Sequence, residues 1–109
     1  MYGIIESKVK IAAVDFDGTL VEDRWPDIGP VRYQVVKTVK RLKRNGAKII
    51  LWTCREGEKL QEAIDYCREV LKLRFDAVNA NLPSEIKKYG GDCRKIHADI
   101  YIDDKAIFI

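Results

Sequence analysis

Short apolar runs in this chain end abruptly on polar residues, and that recurrence constrains its fold more than any other feature. Residues 9–14 run into Asp15-Phe16-Asp17-Gly18-Thr19-Leu20, residues 48–52 into Thr53-Cys54-Arg55, and residues 99–102 into Asp103-Asp104. Runs this brief and this continuous suit central parallel strands covered on both faces. Between them, apolar residues recur at the spacing of one helix face: Val35, Val36, Val39 and Leu42, then Leu60, Ile64, Cys67 and Leu71. Strands alternating with helices predict an α/β fold, a three-layer Rossmann-like parallel sheet with right-handed crossovers and helices on both faces. The carboxyl ends of parallel strands share one edge, which is where an open α/β sheet presents its chemistry.

The remaining segments fill in that plan. Pro30 is placed to open the first helix and Asn45-Gly46 to end it. Residues 75–78 read as a third strand, and residues 107–109 could add a fifth after the one at 99–102. Residues 79–94 are polar, with one short helix around residues 84–88. Residues 21–30, rich in acid, Pro and Gly, read as an irregular loop carrying Arg24 and Trp25.

A chain of 109 residues is expected to form one domain, residues 1–109, around one core. Its 20 basic and 17 acidic residues leave a net charge of +3, a mixed solvated surface that does not point to nucleic acid. Cys54, Cys67 and Cys93 form no CxxC pair, and an odd number completes no disulfide framework, so a reducing cytoplasm is the expected location. No apolar segment approaches membrane-spanning length, and no membrane partner is expected.

If the first strand continues to Asp15, a period of two sends Asp15 and Asp17 to one side and Phe16 to the other. Two neighbouring carboxylates persist when one is protonated or when a cation lies between them, and a hard divalent ion such as magnesium suits oxygen ligands. A solvated acidic turn is the plainer reading of the same residues. Were the polar strand ends to converge with a lysine around magnesium, they would form a site for a phosphate ester. One carboxylate would attack phosphorus, a second would move the proton, and a hydroxyl and an ammonium would hold the phosphoryl oxygens.

The order and strand positions of these motifs, from Val9 to Asp104, resemble the haloacid dehalogenase superfamily in its phosphatase branch. The resemblance implies a magnesium-dependent hydrolase in which Asp15 is the nucleophile and Asp17 the general acid/base. Magnesium would be held by the Asp15 carboxylate, the Asp17 main-chain carbonyl, Asp104, and Asp103 directly or through water. Thr53 would bind the phosphoryl group. Lys95 is the first choice for the phosphate-site lysine, with Lys87 and Lys88 as competitors. A closer likeness of residues 52–57 and 98–104 to a group of very small hydrolases in this superfamily makes Arg55 a candidate substrate contact at a helix start. A surface ion pair of Arg55 with Glu56 or Glu58 is the equal alternative.

The chain also departs from the superfamily pattern. No acid follows Asp104 within Lys105-Ala106-Ile107-Phe108, so magnesium would have fewer protein ligands and more water. The gaps that hold cap domains in larger relatives are short here. Residues 21–30 are then the candidate flap, with Arg24 and Trp25 able to touch substrate, against a plain surface loop as the alternative. Without a cap, selectivity would come from a large phosphorylated substrate such as a phosphoprotein or a nucleic-acid end, or from a second subunit of a homo-oligomer acting as a lid. Otherwise the enzyme would be a broad phosphatase for small molecules. A non-catalytic module that binds magnesium and a phosphorylated partner is the competing function. His97 is expected to pack or to lie at the surface rather than to react, and Cys54 to be buried, since no His is spaced to activate its thiol.

Overall fold

The computed structural model describes residues 8–89, 96–103 and 107–108. Strand β1 (Ile11–Val14) leads through a tight turn into a hairpin of β2 (Val21–Arg24) and β3 (Asp27–Val31). Helix α1 (Tyr33–Arg44), strand β4 (Lys48–Leu51), helix α2 (Gly57–Glu69) and strand β5 (Ala77–Val78) follow. Helix α3 (Pro83–Tyr89) and strands β6 (Ile100–Ile102) and β7 (Ile107–Phe108) complete the described elements. The main sheet runs β5-β4-β1-β6-β7, its first four strands parallel and β7 antiparallel to β6.

Alternation along the strands creates the layers. Ala12, Val14, Ile49, Leu51, Ile100 and Ile102 form one core with Val36, Val39 and Leu42 of α1 and Ala63 and Cys67 of α2. Ala13 and Ile50, one residue out of phase, face Leu82 and Ile96 on the other side of the sheet. Each fully buried Leu or Ile contributes about 1.5–3 kcal/mol relative to exposure, so these two faces carry much of the stability. The α1 stripe is the one the spacing predicts, with Val35 only partly buried. In α2, Leu60 and Ile64 are partly buried, and Leu71 packs beyond the helix end. No described helix is long and apolar enough to cross a membrane.

Residues 21–30 differ from the expected irregular loop. They pair as a hairpin whose register sets Val21 opposite Val31 and Arg24 opposite Asp27. Gly29 permits this, because a Cβ there would lie 2.1 Å from the Glu22 carbonyl oxygen. Pro30 therefore lies in β3 and does not open α1, which begins three residues later at Tyr33. A two-stranded ribbon tolerates a residue without an N–H, and so this position suits proline.

The register also aligns the strand ends. Val14 pairs with Leu51 on one side and Ile102 on the other, so residues 15, 52 and 103 leave the sheet abreast. The chain proceeds from β1 to β4 on one flank and reaches β6 on the other, which makes β1 the point where strand order reverses. Open α/β sheets bind ligands at such a point.

Candidate functional site

Asp15, Trp52, Thr53, Cys54 and Asp103 line a cleft of about 260 Å³ at the carboxyl ends of β1, β4 and β6. The backbone holds it by continuing the sheet one residue past the strands: the Asp15 N–H donates to the Ile102 carbonyl at 3.0 Å and the Trp52 N–H to the Val14 carbonyl at 2.9 Å. The Asp15 carboxylate accepts from the Phe16 N–H at 2.8 Å. The Thr53 N–H donates to Asn79 Oδ1 at 2.8 Å, and the Thr53 hydroxyl oxygen accepts from the Arg55 N–H at 3.2 Å. Asn79 was not a candidate from sequence, although it follows β5 and adopts φ 51°, a conformation Asn tolerates better than most residues. Trp52 forms one wall, its ring edge-on to Tyr101 at 5.8 Å.

Asp17 lies past the end of the strand that delivers Asp15. The strand ends at Val14, and the Phe16 carbonyl accepts from the N–H groups of Thr19, Leu20 and Val21, closing a turn that contains Gly18 at φ 82°. The period of two is lost in that turn, so strand alternation no longer sets the direction of the Asp17 side chain. Asp17 instead meets Arg55, whose Nε donates to Asp17 Oδ2 at 2.7 Å and whose Nη2 donates to Oδ1 at 2.8 Å. Hydrogen bonding to Asp17 holds the Arg55 pKa above its ordinary value, outweighing the burial that lowers it.

Arg55 thus differs from the expected surface ion pair. Its side chain is 1% exposed, against 18% for Asp17, and it lies outside the cleft lining. It is not a surface partner of Glu56 or Glu58, and its guanidinium donates to Asp17 and to the Pro26, Asp27 and Lys59 carbonyls. Arg24 is likewise not a cleft residue: exposed on β2, it pairs with Glu22 at 3.3 Å. Trp25, expected to touch substrate from a flap, rests against the Arg55 guanidinium at 5.0 Å.

Asp103 joins Asp15 in the cleft as expected. Asp104 and Lys95 lie outside the described residues, while Lys87 and Lys88 are exposed in the last turn of α3. His97 gives its backbone N–H to the Asn81 side chain at 2.6 Å. Among the described residues no three His, Cys, Asp or Glu side chains group to hold a metal ion. Asp15 and Asp103 still offer hard carboxylate oxygens from adjacent strand ends. That pair fits magnesium, which takes one or two carboxylates and fills its octahedron with water and substrate phosphate.

No protein-family model matches the chain, and no curated protein matches it. A solved structure of a conserved protein coded by a locus of Bacteroides thetaiotaomicron does, with 46% sequence identity and a TM-score of 0.76. The match covers 88% of this chain and 76% of that one. The chain belongs to the family of that conserved protein. This kinship establishes a shared fold over most of both chains and leaves the chemistry to the cleft itself.

The cleft's thiol contradicts its expected burial. Cys54 is exposed, whereas Cys67 is buried in the α2 core and its thiol is pushed up to about 12 by desolvation. Trp52 follows the last residue of β4, so the chain has left the sheet before Cys54 and strand alternation no longer sets its direction. Iodoacetamide is therefore expected to alkylate Cys54 in the folded protein and to spare Cys67, as read by peptide mass mapping. Equal labelling of these two residues would contradict the packing of α2.

Proposed function

We propose that this chain is a magnesium-dependent phosphatase of the haloacid dehalogenase type, hydrolysing a phosphate monoester through an aspartyl-phosphate on Asp15. The observation that carries this reading is the shared cleft of Asp15, Thr53 and Asp103 at the strand-order reversal. In the first half-reaction a carboxylate oxygen of Asp15 bonds to phosphorus, and the bond from phosphorus to the leaving oxygen breaks. Asp17 supplies the proton that the leaving oxygen takes up. In the second, water attacks phosphorus, the bond to Asp15 breaks, and Asp17 receives the proton that water loses. Thr53 donates its hydroxyl proton to a phosphoryl oxygen, since its oxygen already accepts from the Arg55 N–H. Lys95, by the resemblance, supplies a further cation to the phosphoryl group.

Asp15 and Asp103 would hold magnesium, with Asp104 and the Asp17 main-chain carbonyl added by the resemblance. When bound, the ion neutralises phosphoryl charge and orients the ester for in-line attack. Phosphate release is measured across a panel of small phosphomonoesters, phosphopeptides and oligonucleotide ends. Turnover is expected with magnesium, with loss in EDTA and recovery when magnesium is restored. Full activity in EDTA would remove the metal from the reading. Binding of magnesium and phosphate with no turnover on any ester would instead establish the non-catalytic module. The cleft is expected to be entered directly from solvent in the cytoplasm, and a lid from a second subunit would appear as concentration-dependent activity.

A further inference from the structure

We propose that Arg55 is a positioning residue that couples the β2–β3 hairpin to Asp17, so that Asp17 is aimed for proton transfer only while the hairpin is seated. The inference rests on the phosphatase reading for its catalytic consequence, and on geometry for the coupling. The guanidinium has five N–H donors and reaches three parts of the chain. It donates to both oxygens of Asp17, to the carbonyls of Pro26 at 3.5 Å and Asp27 at 3.0 Å in the hairpin, and to the Lys59 carbonyl at 3.4 Å in α2. Its carbon lies 5.1 Å from the Phe16 ring centre and 5.0 Å from that of Trp25. Phe16 belongs to the acidic turn and Trp25 to the hairpin, so aromatic faces from both sides hold the cation.

A fork that grips both Asp17 oxygens fixes the plane of the carboxylate, which a single-point ammonium cannot do. The same guanidinium cannot shift away from the hairpin carbonyls without turning that fork. Displacing the hairpin therefore moves Asp17, although Trp25 lies in the hairpin and Asp17 in the acidic turn. Net stability is a poor explanation for the arrangement, because removing an ion pair from water offsets most of its attraction.

The test compares Arg55→Lys, Arg55→Met and Trp25→Ala with the wild type and Asp15→Asn. Trp25 is 57% exposed, so its truncation leaves the core intact and keeps the test valid if Arg55→Met fails to fold. Kinetics are measured with an alkyl phosphate, whose leaving oxygen needs a proton, and with p-nitrophenyl phosphate, whose leaving group needs little help. Arg55→Lys is expected to lower kcat on the alkyl phosphate by about tenfold or more, to lower it much less on the nitrophenyl ester, and to leave KM within about threefold. Trp25→Ala is expected to show the same split at smaller amplitude. Equal losses on both esters would mean a structural role and would overturn the proposal.

A second readout needs no turnover: the Arg55 Nε–H resonance in 15N NMR. It is expected to be protected from exchange in the wild type, to shift in Asp17→Asn, and to lose protection in Trp25→Ala. An Arg55 signal indifferent to Trp25→Ala overturns the coupling even if the enzyme is active. An inactive wild type with the expected NMR response overturns the phosphatase reading and leaves the coupling standing.

Discussion

Asp15→Asn is expected to lower phosphate release by at least about 10³-fold while leaving the fold and its stability intact, because a carboxamide is a poor nucleophile toward phosphorus. The substitution is nearly isosteric, and the Asn oxygen can still accept from the Phe16 N–H that Asp15 engages at 2.8 Å. The backbone contact to Ile102 does not involve the side chain, so the strand ends stay abreast. Stopped assays of inorganic phosphate on matched esters, beside circular dichroism and a melting curve, separate chemistry from folding. Turnover within about tenfold of wild type, in a folded variant, would remove Asp15 from the nucleophile's role. Loss of turnover together with unfolding would contradict the local geometry described above.

Phe16→Ala is expected to destabilise the protein by about 3–5 kcal/mol, out of a total stability of about 5–15 kcal/mol for a domain of this kind. Phe16 sits between the two acids in sequence yet is fully buried in the larger core, where its ring also faces the Arg55 guanidinium. Truncation removes apolar contact, leaves a cavity, and uncovers one face of a buried cation. Phe16→Leu keeps most of the volume and is expected to cost clearly less. Urea unfolding of the three proteins, with comparable denaturant slopes, measures the difference. A cost below about 1 kcal/mol for Phe16→Ala would show that this ring is not part of the packed core.

The acidic motif illustrates how far local pattern reaches. The apolar run before Asp15, the stripe Val36-Val39-Leu42 and the inward-facing Cys67 are consequences of burial, and burial repeats with the period of the element. They were legible because a strand or helix imposes its period on every residue within it. Asp17 lies beyond the end of β1, inside a turn closed on the Phe16 carbonyl, where no period holds. The hairpin was missed for a related reason: its pairing depends on the close approach of Gly29 to Glu22, and Pro and Gly signal a break without naming the structure that fills it.

Arg55 marks the same boundary from the side of electrostatics. By its neighbours in sequence it could meet Glu56, Glu58 or a ligand, since a charged residue at a helix start is ordinarily solvated. The acceptors that bury it come from Asp17, Pro26, Asp27 and Lys59, drawn together from separate segments. The amino-acid sequence by itself determined the α/β class and the polar strand ends, and with them the presence of Asp15, Thr53 and Asp103 at one sheet edge, because each follows from periodicity and parallel-sheet geometry. Only the tertiary structure decided that Asp15 faces the cleft while Asp17 turns to a buried arginine, because side-chain direction in a turn is set by non-local contacts that leave no repeating trace in the chain.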